Sequence, residues 1–366
     1  MSSLQPLITM LPSWHPEEFL RRKPHLEVRQ RVMGAVRGYF AAEEFAEVDT
    51  PVLQISPGNE THLHAFATEF KNLNGDAPQK LYLQTSPEFA MKKLLVAGVP
   101  RLYQLAHSFR NGEHSSRHHP EFMMLEWYRA NATLRAIMDD CVSLIRAAAT
   151  AARRETFSAN NMVCDPSAEW EGLSVPEAFR RYADIDLLAL LPSPPASGRG
   201  ALTATMDQLT EQFAAEAQRI GVCVSGGDTW DDLFFRIMGE RIEPYLGKDR
   251  PTFLCDYPVS QAALARPKAD DPRLAERFEL YICGYELANA FGELTDADEQ
   301  ERRFEADMAM KEKLYGERYP IDADFIAALR HGMPESSGIA LGFDRLVMLC
   351  AGTDNIEDVL WLPVGK

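Results

Sequence analysis

The stretch Leu102–Ala130, LYQLAHSFRNGEHSSRHHPEFMMLEWYRA, decides the fold. Its two ends, LYQLAHSFR and FMMLEWYRA, read as strands, and the polar run from Asn111 to Glu121 reads as a long loop between them. Alternate residues of a strand share a face, so Phe122, Met124, Glu126 and Tyr128 point one way, and Met123, Leu125 and Trp127 the other. The second face is plain core. The first sets a carboxylate among an aromatic ring, a thioether and a phenol, which is costly unless a cation meets it. A bound ammonium is one such partner, and a structural arginine is the plainer one that the pattern alone favours. Arg110 sits at a strand end, where a fixed guanidinium can meet a phosphate. Arg117, Glu113, His114, His118 and His119 fit a solvated loop, and the three histidines, with no cysteine or carboxylate at zinc spacing, make a poor metal site.

Working outward, RFELYI and YELANAF form a second pair of strands. If Cys283 and Gly284 make a two-residue turn, Tyr281 pairs with Glu286 and Glu279 becomes the diagonal neighbour of Glu286. Two carboxylates so close require a cation, either Mg²⁺ carrying phosphate oxygens or a lysine or arginine bridge. By the same alternation Asn289 and Glu293 fall on the face opposite Glu286, unless a bulge intervenes. In SGIALGFDR, residues 337–345, small residues mark a strand passing into a helix, with Arg345 in its first turn, able to reach an anion.

The remaining pattern is simpler. Leu26, Val32, Met33, Val36 and Phe40 predict a helix from Leu26 to about Glu44, leaving residues 1–24 as an N-terminal extension. EVDTPVLQ and KLYLQTSPEF read as strands. Leu134 to Ala148 reads as an amphipathic helix, and another helix is expected near 297–315. PSPPASGRG, residues 192–200, is a linker within a helical insertion spanning about 133–228, so that a single domain runs over 25–366. Strands come in sequential pairs with helices between the pairs. That predicts an α+β fold with a mostly antiparallel sheet flanked by helices. No GxGxxG or GxxxxGK[ST] is present, so a nucleotide would not sit on a P-loop.

The charge balance of 38 basic against 54 acidic residues gives −16, which argues against a broad basic face for nucleic acid or anionic membrane. The six cysteines contain no CxxC and predict free thiols. No apolar run is long enough to span a bilayer and MSSLQPLITMLPSW lacks a basic segment before an apolar one, so a cytoplasmic protein is expected.

Taken together, EVDTPVL with its preceding helix, FRNGEHSSRHHPEFMMLEWY and GIALGFDRL resemble motifs 1, 2 and 3 of the class II aminoacyl-tRNA synthetases of lysyl type, from about residue 25 to the end. Only about 24 residues precede the first expected helix, too few for the anticodon-reading OB domain of lysyl-tRNA synthetases. The chain therefore resembles the stand-alone lysyl-type paralogues, which modify a lysine of elongation factor P. SPEFAMKKLLVAG and FELYICGYELANAFGELTDADEQ support this.

The resemblance implies ATP-dependent formation of a β-lysyl- or lysyl-adenylate with Mg²⁺, transfer to elongation factor P, a homodimer with Pro51 at its interface, and no stable tRNA binding. By resemblance Arg110 and Arg345 are catalytic; Asn111, Gly112, His119, Phe122, Glu279, the Leu280 backbone and Gly342 join them in binding ATP. Glu279 and Glu286 hold the metal. Ser86, Pro87, Glu88, Glu126, Tyr128, Glu286, Asn289, Glu293 and Ala340 line the amino-acid pocket, whose carboxylates suit a diamine. The chain departs from the family at Gly112, at His119 (usually Asn), at Ala290 (usually Gly) and at Ala340 (Gly in lysyl-tRNA synthetases). A methyl at Ala340 would crowd an α-amino group and favour a β-placed one. The competing expectations are a tRNA or other acceptor, and a catalytically silent amino-acid-binding paralogue.

Overall fold

The computed structural model of the protein describes residues 11–75, 77–192 and 205–364. Its frame is one eight-stranded sheet. In chain order the strands are β1 (Ala46–Glu47), β2 (Arg101–Phe109), β3 (Glu121–Ala130), β4 (Glu171–Ser174), β5 (Thr252–Pro258), β6 (Leu274–Ile282), β7 (Tyr285–Gly292) and β8 (Ser336–Gly342). Across the sheet they run β1-β2-β3-β8-β7-β6-β5-β4. The six inner strands are antiparallel, and the short edge strands β1 and β4 add in parallel. This is the α+β arrangement expected from the paired strands.

One face of the sheet is core. Leu125, Trp127, Ile339, Leu341 and Leu280 pack there against the opening helix Pro16–Ala42, the helix Leu134–Ala152 and the C-terminal helix Phe343–Ala351. The other face carries the polar residues of the same strands. Pairing registers place Gln104, Glu126, Ala340, Asn289 and Glu279 in one row across five strands, β2, β3, β8, β7 and β6. That row exists because of a bulge. Tyr281 pairs with Glu286 but Leu280 pairs with Ala288, so one extra residue of β7 shifts the register and brings Asn289 opposite Glu279.

Several expectations are corrected. The opening helix starts at Pro16, not Leu26, so residues 16–24 belong to it rather than to an extension. The apolar pattern fails there because the inward position is Arg22, only 1% exposed, whose guanidinium donates to the carbonyls of Ser13 (2.7 Å) and Leu360 (2.6 Å). EVDTPVLQ is not one strand. It splits into β1 and Leu53–Gln54, which joins a separate three-stranded sheet, with Pro51, a residue lacking an amide donor, between the pieces. The segment 133–228 is not purely helical: it holds a hairpin, Phe157–Ala159 with Met162–Cys164, and the edge strand β4. After β4, helices Met206–Arg219 and Trp230–Ile237 enclose a second core built on Phe179, Phe213, Trp230 and Phe234, sealed onto Tyr257 and Tyr281 of the sheet. Most of the 192–200 linker, from 193 on, lies outside the described residues. β5 and the helix Ala323–Gly332 carried no clear signal in the sequence.

Candidate active site

The polar face of the sheet floors a cleft of about 250 Å³ onto which both Arg110 and Arg345 open. At its first end, Arg345 leaves the first turn of the C-terminal helix and its guanidinium donates to the carbonyl of Glu286 (2.9 Å) and to Nε2 of His118 (2.7 Å). Because guanidinium only donates, His118 Nε2 must accept, and the ring proton is assigned to Nδ1, which faces Ser115 Oγ at 2.8 Å. Burial, then the neighbouring Arg345, keep His118 below the usual histidine range and hence neutral. Arg110 lies 5.3 Å over the ring of Phe122, its one ionic partner among the described residues being Glu113 at 3.9 Å. Its Nε is buried without a hydrogen-bond acceptor among the described residues. Two guanidiniums thus face one space with donors unspent.

Of the other residues expected around ATP, Phe122, Gly342 and His119 line the cleft, whereas Asn111 and Gly112 lie outside it and Glu113 lines it instead. Gly112 has φ +86°, a left-handed turn that glycine adopts without strain, which accounts for the inserted glycine. His119 is 3% exposed; its Nε2 accepts from the Val364 amide (3.2 Å) and Nδ1 meets the Glu121 carbonyl (2.5 Å), so it also pins the end of the chain to the cleft wall. Leu280 has a fully buried side chain and can contribute only its backbone.

The opposite end is acidic. Ser86, Glu88, Asn289 and Ala340 line the cleft, while Glu126, Tyr128 and Glu293 lie immediately behind them and Pro87 precedes the helix Glu88–Val96. Glu126 is fully buried, accepts from Ser86 Oγ (2.6 Å) and Tyr128 OH (2.9 Å), and is pushed up to about 8 by burial and then by Glu88. Glu293 is raised to about 7, again chiefly by burial. The sequence reading missed the group that holds this end together. Lys92, 1% exposed, forms ion pairs with Glu88 and with Glu293 (2.5 Å). A signal existed: in SPEFAMKKLL a lysine falls four residues after Glu88, on a face whose neighbours Phe89 and Leu95 are core. Gly338 is also required, since a Cβ there would collide with the Tyr128 ring.

Between the two ends stand Glu279 and Glu286. Glu279 is tied down: it accepts from Tyr257 OH (2.6 Å), Tyr281 OH (2.7 Å) and Arg277 Nη2 (2.5 Å), so the arginine-bridge reading holds for this carboxylate. Arg277 also donates to Asn289 Oδ1 (3.0 Å). Glu286 faces the cleft, and its carboxylate has no side-chain partner among the described residues. The protein around it, then Glu279, raise it to about 7. A carboxylate so destabilised in its charged form is what a divalent cation relieves, so the donor set fits Mg²⁺ through Glu286, with Glu279 adding charge behind it.

A mostly antiparallel sheet carrying one arginine on the β3 loop and another after β8, over a shared cleft, is the catalytic architecture of a class II synthetase. The chain belongs to the family of class II tRNA synthetases (D, K and N), whose model matches residues 20–366. Within that class it groups with proteins named elongation factor P–(R)-β-lysine ligase. It is 39% identical to the one from Yersinia enterocolitica over 97% of this chain and 98% of the relative. The proteins of that name from Enterobacter sp. strain 638 and Salmonella paratyphi B are 37% and 38% identical, with the same shares covered.

Proposed function

We propose that the protein is an ATP-dependent ligase that activates (R)-β-lysine or lysine as an adenylate and passes it to the ε-amine of a lysine on elongation factor P. The observation that carries this reading is one cleft with two under-used guanidiniums at one end and a buried carboxylate cluster at the other. The substrate carboxylate attacks the α-phosphorus of ATP in line and pyrophosphate leaves. Arg110 neutralises charge growing on the α-phosphoryl oxygens, Phe122 offers a stacking face to adenine, and Arg345 holds the far end of the triphosphate. Mg²⁺, held by Glu286 with Glu279, would neutralise phosphate charge. Glu88, Glu126 and Glu293 outnumber Lys92, so an arriving ammonium meets carboxyl groups that can give up a proton and become its counter-charge.

ATP–pyrophosphate exchange with each lysine isomer, followed by mass spectrometry of elongation factor P, tests the proposal; exchange with neither isomer refutes it. Net charge of −16 favours a protein acceptor over tRNA, and a charging assay on bulk tRNA separates the two. The retained Arg110, Arg345 and Glu286 weigh against a silent paralogue. A homodimer is supported by exposed Leu53 (49%) and Ile55 (56%) beside Pro51. A cytoplasmic location accords with the observation that no described helix is long and apolar enough to cross a membrane.

A further inference from the structure

Transfer to a lysine side chain raises a demand that activation does not. The acceptor is an ammonium with an ordinary pKa near ~10.4, and it has no lone pair until a proton is removed. A base must therefore stand in the cleft. Its candidates can be eliminated by their commitments. His118 and His119 each have both ring nitrogens engaged. Glu88 and Glu293 are spent on Lys92, Glu126 on Ser86 and Tyr128, and Glu279 on Arg277 and two phenols. Glu286 belongs to the phosphate side, where Arg345 is bound to its own carbonyl.

Glu113 is paired with Arg110 (3.9 Å) and Asp344 with Arg29, so one carboxylate of the cleft remains. Glu60 lines both the central cleft and an adjoining recess bounded by Gly58, Thr85 and Phe304, and it accepts no hydrogen bond and makes no ion pair with any described residue. Its freedom is not that of a loose loop. Around it, Asn59 Nδ2 donates to the Pro320 carbonyl (3.3 Å), Thr61 Oγ1 to the Asp307 carbonyl (3.3 Å), and Lys311 Nζ to the carbonyls of Thr61 (3.0 Å) and Leu63 (2.7 Å). His62 bonds Tyr315 (2.8 Å), and the His64 carbonyl accepts from the Asn111 amide (2.8 Å). A backbone held this firmly presents one unpaired carboxylate to the cleft.

We propose that Glu60 is the catalytic base of the transfer step, taking a proton from the acceptor lysine so that its amine can attack the adenylate. In that step one N–H bond breaks and its proton passes to Glu60; the freed lone pair forms the C–N bond at the adenylate carbonyl carbon. The C–O bond to phosphate then breaks, its electron pair leaves with AMP, and the nitrogen's second proton goes to the AMP phosphate. The charged and titratable groups facing Glu60 are Arg110, Arg277, Glu88 and Glu113 from the cleft, and Asp307 and Lys311 from the helix behind. The protein around it and the two cleft carboxylates raise its affinity for a proton, while Arg110 and Arg277 oppose them.

The inference rests on the ligase reading above, and the half-reactions keep the two apart: absence of lysine-dependent exchange in the wild type sinks that reading, whatever Glu60 does. Glu60→Gln should keep ATP–pyrophosphate exchange within about twofold and lose transfer to elongation factor P by about 100-fold. Hydroxylamine, an amine already neutral at pH 7, should trap the adenylate equally well with Glu60→Gln and wild type. The transfer defect should shrink as pH approaches ~10, where the acceptor ionises by itself, and Glu60→Asp should recover part of the rate. Exchange falling in step with transfer, hydroxylamine trapping falling as far as protein transfer, or transfer unchanged would each overturn the assignment.

Discussion

At one end of the cleft Arg110 keeps a buried Nε without an acceptor and Arg345 leans on a neutral histidine; at the other, Lys92 lies buried between Glu88 and Glu293. The phosphate end leaves its charge for a ligand to neutralise. The amine end already contains a counter-ion and so is assembled before substrate arrives. A buried charge without a partner is among the most expensive features a fold can carry, whereas a guanidinium at a cleft mouth is partly solvated. Substitutions at the amine end should therefore act first on folding, and those at the phosphate end on the rate of activation.

The largest effect is expected for Lys92→Met, which strands two carboxylates and should lower unfolding free energy by ~3–5 kcal/mol at pH 7–8 in denaturant titrations. The loss should narrow below pH 7, because Glu293 is already raised to about 7 and takes up a proton readily. An unaltered unfolding midpoint would break the contrast between the two ends. Next, Arg110→Ala should slow ATP–pyrophosphate exchange by about 10²–10³-fold and leave the unfolding midpoint in place, since its ionic contact in the protein is Glu113 at 3.9 Å.

Glu126→Gln sharpens the picture through pH. An acid whose folded pKa is raised to about 8 from 4.5 disfavours folding once ionised. The stability gained by holding that proton is fully present below pH 4.5 and lost as pH climbs through 8. Relative to wild type, Glu126→Gln should gain stability steadily across that window, about 2 kcal/mol by pH 6. The smallest effect belongs to Ala340→Gly. Ala340 sits in the sheet row between Glu126 and Asn289, and removing its methyl should shift the preference between α-lysine and β-lysine by about 10-fold, read from exchange kinetics with each isomer.

Much of this was legible in local pattern. The alternation of FMMLEWY separates Trp127 from Glu126 without any knowledge of the fold, and the Cys283–Gly284 turn follows from its flanking strands. Arg22 and Lys92 were lost for one shared reason: each puts a charge on a core-facing helical position, which interrupts the apolar period that reveals a helix or marks its inward face. The β7 bulge was foreseen only as a condition, because a register shift leaves no mark on the bulged strand itself.

By itself the sequence determined which segments are strands and which of their faces is polar, since side-chain alternation depends only on neighbouring residues. Tertiary structure alone decided which of the many carboxylates are already spent and which are free. Lys92 meets Glu293, Arg277 meets Glu279 and no described residue bonds Glu60, through contacts between segments that only the folded sheet brings together, and the free energy of a charge is set by those partners rather than by its place in the chain.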